Sequence, residues 1–320
     1  MTRTLKIYFH DRCFDGVSSA AMFSRFYREA VDRHAEIVPV GMEHRDGDPF
    51  EGVALDADDH ACVDFRYCPA ERMRWWFDHH ATAFQPASLR AIFDERRLAT
   101  HVFDPHAPSC AGLMAAALPR EWGWPLPPHL RELSAWADRV DALDYASAAE
   151  AVALSAPAQR VSTFLASSGS DAAARCIRWL ETEPLDEVAR RPEVDAAAQR
   201  ALAERDQTLA HLRQIAKRTG DVVTLDLLAT PGSRSPGLLG YLLFPTCHYV
   251  VSAVVGPATV RISVGHNPWV GAPSRVHVGQ LCERHGGGGH AGVGGITLEP
   301  HEVARAAGIV RELVRTLSSG

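Results

Sequence analysis

Lysine is nearly absent: only Lys6 and Lys217 occur in 320 residues, so almost all of the 33 basic side chains are arginine. Acidic side chains outnumber them at 39, and the formal charge of −6 lacks the basic excess on which general binding to duplex nucleic acid relies. Such a chain can still bind a phosphate, but only in a local site. Cysteine is sparse and unpaired, with seven residues at 13, 62, 68, 110, 176, 247 and 282 and no C-x-x-C spacing. This argues against a disulfide framework and a structural zinc site and suits a reducing compartment. No apolar run reaches the ~18 residues of a membrane span, and Met1 to Phe9 is too short in apolar length for a signal peptide, so a soluble cytoplasmic protein is expected. With 46% hydrophobic and 22% charged residues the chain is neither disordered nor fibrous, and its length suffices for two domains.

Against these absences stands Arg74-Trp75-Trp76-Phe77-Asp78-His79-His80, an apolar run that ends on one carboxylic acid and two imidazoles. Leu5 to Phe9 alternates and is rich in β-formers, so it predicts a first strand leading into His10-Asp11-Arg12-Cys13-Phe14-Asp15-Gly16. A helix is predicted from Val17 to Ala30, then strands over Glu36 to Val40, His60 to Phe65, and up to Asp78, with a further one near Thr100 to Asp104. Strands alternating with helices imply a largely parallel sheet, whose functional loops gather at the carboxyl ends of the strands. Three strands here end at His10 to Asp15, at Asp64, and at Asp78 to His80. If those strands are neighbours, all these groups share one crevice. Helices are predicted over Ser109 to Leu118 and Pro128 to Val140, the latter ending in Ala137-Asp138-Arg139-Val140-Asp141.

From 146 the composition turns Ala-rich and helical, with Val194 to Lys217 long enough to join two domains. A β-rich pattern starts at Asp221 to Leu225, and the tail from Pro300 to Leu317 is helical in period. The fold class is therefore α/β: an N-terminal mostly parallel sheet with helices on both faces (1–145), a helical connector (146–218) and a smaller C-terminal α/β domain (219–320). That last domain holds Gly286-Gly287-Gly288-Gly289-His290, where backbone N–H groups free of side chains can converge on an anion beside an imidazole.

Asp and His without paired Cys form a ligand set for Mn²⁺ or Mg²⁺, with Zn²⁺ or Co²⁺ also able to bind. Carboxylates from several strand ends can bridge two such ions, and sites of that kind hydrolyse phosphoesters. Left unpaired, so many acids would repel one another, which favours a metal over an inert cluster.

The ordered set His10, Asp15-Gly16, Asp64, Asp78-His79-His80, Asp138 and Gly287-Gly288-Gly289-His290 resembles the DHH phosphoesterase superfamily with its DHH-associated C-terminal domain, over nearly the whole chain. Its size and layout are similar to nanoRNase and adenosine bisphosphate phosphatase members. The resemblance implies a manganese-dependent hydrolase with two ions on the N-terminal domain and the substrate held between domains. It implies His10, Asp15, Asp64, His79 and Asp138 as metal ligands, with Asp78 supporting His79 and His80 or lying at the edge of the metal shell. His80 would contact the scissile phosphate, and Arg275, His290 and the amides of Gly288 and Gly289 would hold a phosphate or the nucleotide end. Many members carry an aspartate where Cys13 stands, and thiol is a poor ligand for Mn²⁺, so one ion site is expected to be weak, differently occupied or empty. Asp11, next to His10, is expected to point to the other side of the backbone.

Three functions are compatible with these residues. The leading one is hydrolysis of phosphodiester or phosphomonoester bonds in small nucleotides or very short oligonucleotides by in-line attack of metal-bound water. The charge argues against long strands. The others are an exopolyphosphatase and a nucleotide-binding regulatory protein whose activity Cys13 has impaired. A homodimer is left open, and no membrane partner is expected.

Overall fold

The alternation in the first predicted strand becomes β1 (Thr4–His10), which places Leu5, Ile7 and Phe9 in one apolar core and Tyr8 in another. The computed structural model describes residues 2–45 and 47–319. After β1 come α1 (Phe14–Ala30), β2 (Glu36–Met42), β3 (Asp59–Val63), β4 (Trp75–Asp78), α2 (Leu89–Arg96), β5 (His101–Phe103), α3 (Cys110–Trp122) and α4 (Pro128–Asp141). The five strands form an all-parallel sheet in the order β2-β1-β3-β4-β5. β1, β3 and β4 are therefore adjacent, and their carboxyl ends bring His10, Asp64 and Asp78 to one rim.

The chain divides into two compact units, Met1–Asp144 with Leu154–Ala201, and Tyr145–Ala153 with Leu202–Gly320. In the first, one sheet face meets α1, α3 and α4 together with α6 (Pro157–Ser167), α7 (Ser170–Leu180) and α8 (Leu185–Ala189); α5 (Ala148–Ala151) belongs to the second unit. The opposite face packs Tyr8, Cys62, Phe65 and Trp76 against α2, which supplies Leu89, Ile92 and Phe93. Helices thus cover both faces, as parallel strands require. The residues 146–218 are shared between the units, with α6 to α8 built into the first core. The long α9 (Pro192–Ile215) runs from one unit into the other.

Helix α1 is enclosed on nearly all sides, and its first turns use small residues (Gly16, Ser18, Ser19, Ala20, Ala21) that let α3, α4 and α7 approach. A close approach is made at Gly16, where a Cβ would lie 2.3 Å from the carbonyl oxygen of His10. Gly16→Ala is expected to push α1 away from the end of β1 and to destabilise the first unit by about 1–3 kcal/mol, the usual range for overpacking. A thermal melt measures this, and an unchanged melting temperature would mean that β1 yields freely there.

The second unit is a mixed six-stranded sheet. Its strands are β6 (Lys217–Thr219), β7 (Val222–Leu227), β8 (Tyr249–Val255), β9 (Val260–His266), β10 (Gly288–Gly289) and β11 (Val293–Leu298), in the order β10-β11-β9-β8-β7-β6. Only β7 and β8 run parallel. One face is covered by α11 (Val278–Glu283) and α12 (Val303–Ser319), the other by α10 (Leu239–Leu243) with the end of α9.

Candidate metal centre

Each side chain at the rim of the parallel sheet is placed by a different element. Asp15, in the first turn of α1, is 1% exposed and accepts from the backbone N–H of Cys110 at 2.7 Å and of Ala111 at 2.9 Å, at the start of α3. It therefore ties the amino terminus of α3 to that of α1 and is oriented by two main-chain donors. Asp64 follows β3 in a left-handed conformation (φ 54), held by its N–H donating to Phe77 O at 2.9 Å, and both of its carboxylate oxygens are buried. Asp78 closes β4, fully buried.

His79 and His80 diverge. His79 Nδ1–H donates to the Ala107 carbonyl at 2.9 Å, which fixes the tautomer and leaves a lone pair on Nε2. That lone pair faces Asp15 Oδ2 at 3.7 Å, Asp64 Oδ1 at 3.7 Å and Asp141 Oδ2 at 3.5 Å. His80 Nδ1–H donates to Asp78 Oδ1 at 2.8 Å, and its side chain is 34% exposed against 9% for His79. Asp78 thus orients the side chain of His80; to His79 it offers only an acceptor for the backbone N–H at 2.9 Å. The support expected for His79 comes instead from the Ala107 carbonyl.

His10 Nδ1 lies 3.6 Å from Asp64 Oδ2, and with Cys13 these two residues form one group able to hold a metal ion. Asp64, His79 and His80 form a second such group, and Asp15, His79 and Asp141 a third. Among the described residues Asp138, expected as the last acid, belongs to none of these three groups. Its Oδ1 accepts from Ser109 Oγ at 2.6 Å, while that Ser109 oxygen caps α3 by accepting from Gly112 N–H at 2.9 Å. The acid that meets His79 is Asp141, three residues further along α4. Asp11 turns away as expected, bonding Ser170 Oγ at 2.6 Å and the Arg12 N–H at 2.9 Å. One imidazole is unforeseen: His44, in the loop after β2, sits edge-on to His10 (4.7 Å between centroids) and stacks on Phe65 (4.8 Å). No local pattern in that loop announces it.

The cluster fits a divalent cation. Among the described residues, His10 Nδ1, His79 Nε2 and both Asp64 oxygens are buried without a hydrogen-bond partner, a costly state for groups of this polarity. Burial lifts the Asp64 carboxyl well above the usual range, and repulsion from Asp15, Cys13, Asp78 and Asp141 adds to it. Burial likewise raises Asp15 and Asp141. Burial, helped by His44 and His80, lowers His10 to about 4, and burial with the Asp15 charge raises the Cys13 thiol to about 11. At neutral pH the set therefore includes a neutral His10 imidazole, a neutral Cys13 thiol and carboxyls that hold protons more tightly than usual. An entering cation must displace protons. Divalent-ion binding is expected to release protons and to tighten as pH rises through the lifted carboxyl range. Calorimetry in two buffers of different ionisation enthalpy measures the release; identical heats would mean that the carboxyls are already ionised.

In the second unit, Arg275 Nη2 pairs with Asp221 at 3.1 Å, and Gly288 and Gly289 pair antiparallel with Gly295 and Gly294. The glycine-rich stretch is thus a short strand as well as a loop. At Gly289 (φ 148) a Cβ would lie 2.2 Å from Val293 O, so close strand approach by itself requires glycine there. The His290 N–H donates to Val293 O at 2.7 Å, and its side chain is exposed.

No protein-family model and no curated protein matches the chain. Solved structures do. A pGpG-specific phosphodiesterase, PggH from Vibrio cholerae, superposes with a TM-score of 0.71 at 17% identity, covering 99% of both chains. The DHH domain of a member of the S1p family of ribosomal proteins gives 0.62 at 12% identity, over 98% of this chain and 86% of that one. RecJ from Thermus thermophilus, in complex with Mn²⁺, gives 0.58 at 16% identity, over 98% of this chain and 52% of that one. The chain spans about half of the RecJ structure. At these identities the likeness is one of fold, and the fold is that of the DHH-domain proteins.

Proposed function

We propose, on the premise of this DHH fold, that the protein is a metal-dependent phosphoesterase acting on small nucleotides or very short oligonucleotides. One observation carries the proposal: the His79 tautomer set by Ala107 turns an imidazole lone pair onto three carboxylates, an arrangement that a cation stabilises and that is repulsive otherwise. Asp15, Asp64, His79 and Asp141 would hold one ion, and His10 with Asp64 and Cys13 a second, weaker for Mn²⁺ because of the thiol. Divalent ions in such a site neutralise phosphoryl charge and acidify water.

The remaining chemistry belongs to the chain. His80 has its Nδ1–H on Asp78, and that bond, ahead of an opposing effect of burial, raises its proton affinity. Its Nε2 is then suited to carry a proton to the oxygen of the leaving group. The half-open position of His80 allows contact with a substrate, whereas His79 is almost closed to solvent. The negative net charge and the likeness to a phosphodiesterase named for a dinucleotide both support a small substrate over a long strand. Arg275 and His290 remain the proposed phosphate contacts of the second unit.

The test is an assay with Mn²⁺ on a generic aryl phosphodiester, a dinucleotide, adenosine 3′,5′-bisphosphate and polyphosphate. Turnover of the dinucleotide or the bisphosphate is expected; turnover of polyphosphate alone would select the exopolyphosphatase, and inactivity on all four would overturn an enzymatic role.

A further inference from the structure

The second unit carries a groove on the side of its sheet away from the glycine-rich strand, since β10 and β6 are the two opposite edges. Helix α12 lies chiefly over β8, which leaves a trough between it and the β6–β7 pair. A cavity of about 660 Å³ there is continuous with one of about 840 Å³, the two sharing Ile215, Lys217, Asp226 and Ala307. Volumes of this order are those of small-molecule sites.

The polar lining is sorted along the groove. The Ser318 Oγ–H bond to Thr219 O at 3.2 Å fixes the carboxyl-terminal end of α12 beside β6. At that end Arg311 and Arg315, one turn apart on α12, face Lys217, one of only two lysines in the chain. Among the described residues none of these three cations has an ion-pair partner, although the chain as a whole carries excess acid. Lys217 pairs in register with Thr224, so Asp226 stands two residues further along, past the end of β6 and towards Ala307. Asp226 Oδ1 accepts from Leu228 N–H at 3.1 Å. Ile215, Val310 and Val314 add apolar lining to the cavity.

A ligand that matches this order is anionic at one end, apolar in body and a hydrogen-bond donor at the other. A polyanion would meet Asp226, and a purely apolar ligand would leave three cations facing it. We propose that the groove binds a nucleoside phosphate, with the phosphate on Lys217, Arg311 and Arg315, the nucleoside along the aliphatic lining, and Asp226 accepting from a hydroxyl or amino group.

The full-length protein in EDTA, titrated calorimetrically with AMP, GMP, guanosine and pyrophosphate, tests this. AMP or GMP is expected to fill one such site, apart from any binding at Arg275 and His290, at least tenfold tighter than guanosine or pyrophosphate. Arg311→Glu/Arg315→Glu should weaken it at least tenfold, while Arg275→Ala/His290→Ala leaves it unchanged. Both arginines are exposed, and matching melting curves show that the variant folds. No binding, binding indifferent to the charge reversal, binding lost with Arg275 and His290, or pyrophosphate binding as tight as the nucleotide would each overturn the proposal.

Discussion

Asp64→Asn is expected to abolish Mn²⁺-dependent turnover, by ~10³-fold or more, equivalent to about 4 kcal/mol of transition-state stabilisation, while raising the melting temperature of the metal-free protein. The opposite signs follow from one geometry. Asp64 is 1% exposed, both of its oxygens lack a donor, and three other acids and a thiol press on it. A carboxyl whose folded pKa lies above its unfolded value costs stability once pH exceeds the unfolded value, and that cost grows until the folded pKa is passed. Asparagine removes the charge and tolerates the left-handed backbone at this position (φ 54). Relief of ~1 kcal/mol would raise the midpoint by about 2–4 °C for a unit of this size. The same substitution removes a residue common to two of the three groups able to hold an ion, so the stabilisation by Mn²⁺ expected of the parent protein should disappear. Melting curves with and without Mn²⁺ read both effects; a lower metal-free midpoint would show that Asp64 is structural in its own right.

The second large effect is expected at His80. His80→Ala should lower kcat by ~10²–10⁴-fold, the usual contribution of a positioned acid or base, with Mn²⁺ affinity by calorimetry essentially retained. The separation rests on the different bonds of the two adjacent histidines. His79 directs its free nitrogen at three carboxylates, whereas His80 is bonded to Asp78 and reaches solvent. If metal affinity fell together with kcat, His80 would be a ligand and the assignment of a proton donor would fail. His79→Ala is the comparison: it should reduce both.

The sequence by itself determined the parallel sheet and most of the rim. Period-two alternation in Leu5 to Phe9, short β-rich runs and intervening helical segments specify parallel strands, and the chain leaves each such strand at the same side of the sheet. Asp64 and Asp78-His79-His80 could therefore be placed at the rim from their positions after strands alone, and His10 at the end of its own strand. Tertiary structure decided what periodicity does not encode. Asp138 and Asp141 sit three residues apart on α4, so helical spacing places both near one face, and only the packing of α3 against α4 commits Asp138 to Ser109 and leaves Asp141 to His79. The partners of His79 likewise depend on the Ala107 loop and on Asp15 of α1, which no local pattern relates to the DHH stretch. Residues 154–201, helical and charged as a sequence, owe their place in the first unit to apolar side chains such as Val161, Phe164, Ile177 and Leu180 that join a core begun 150 residues earlier. Which strand ends carry the chemistry follows from backbone direction, a local property; which acid faces the metal ligands and which caps a helix follows from side-chain packing between distant segments.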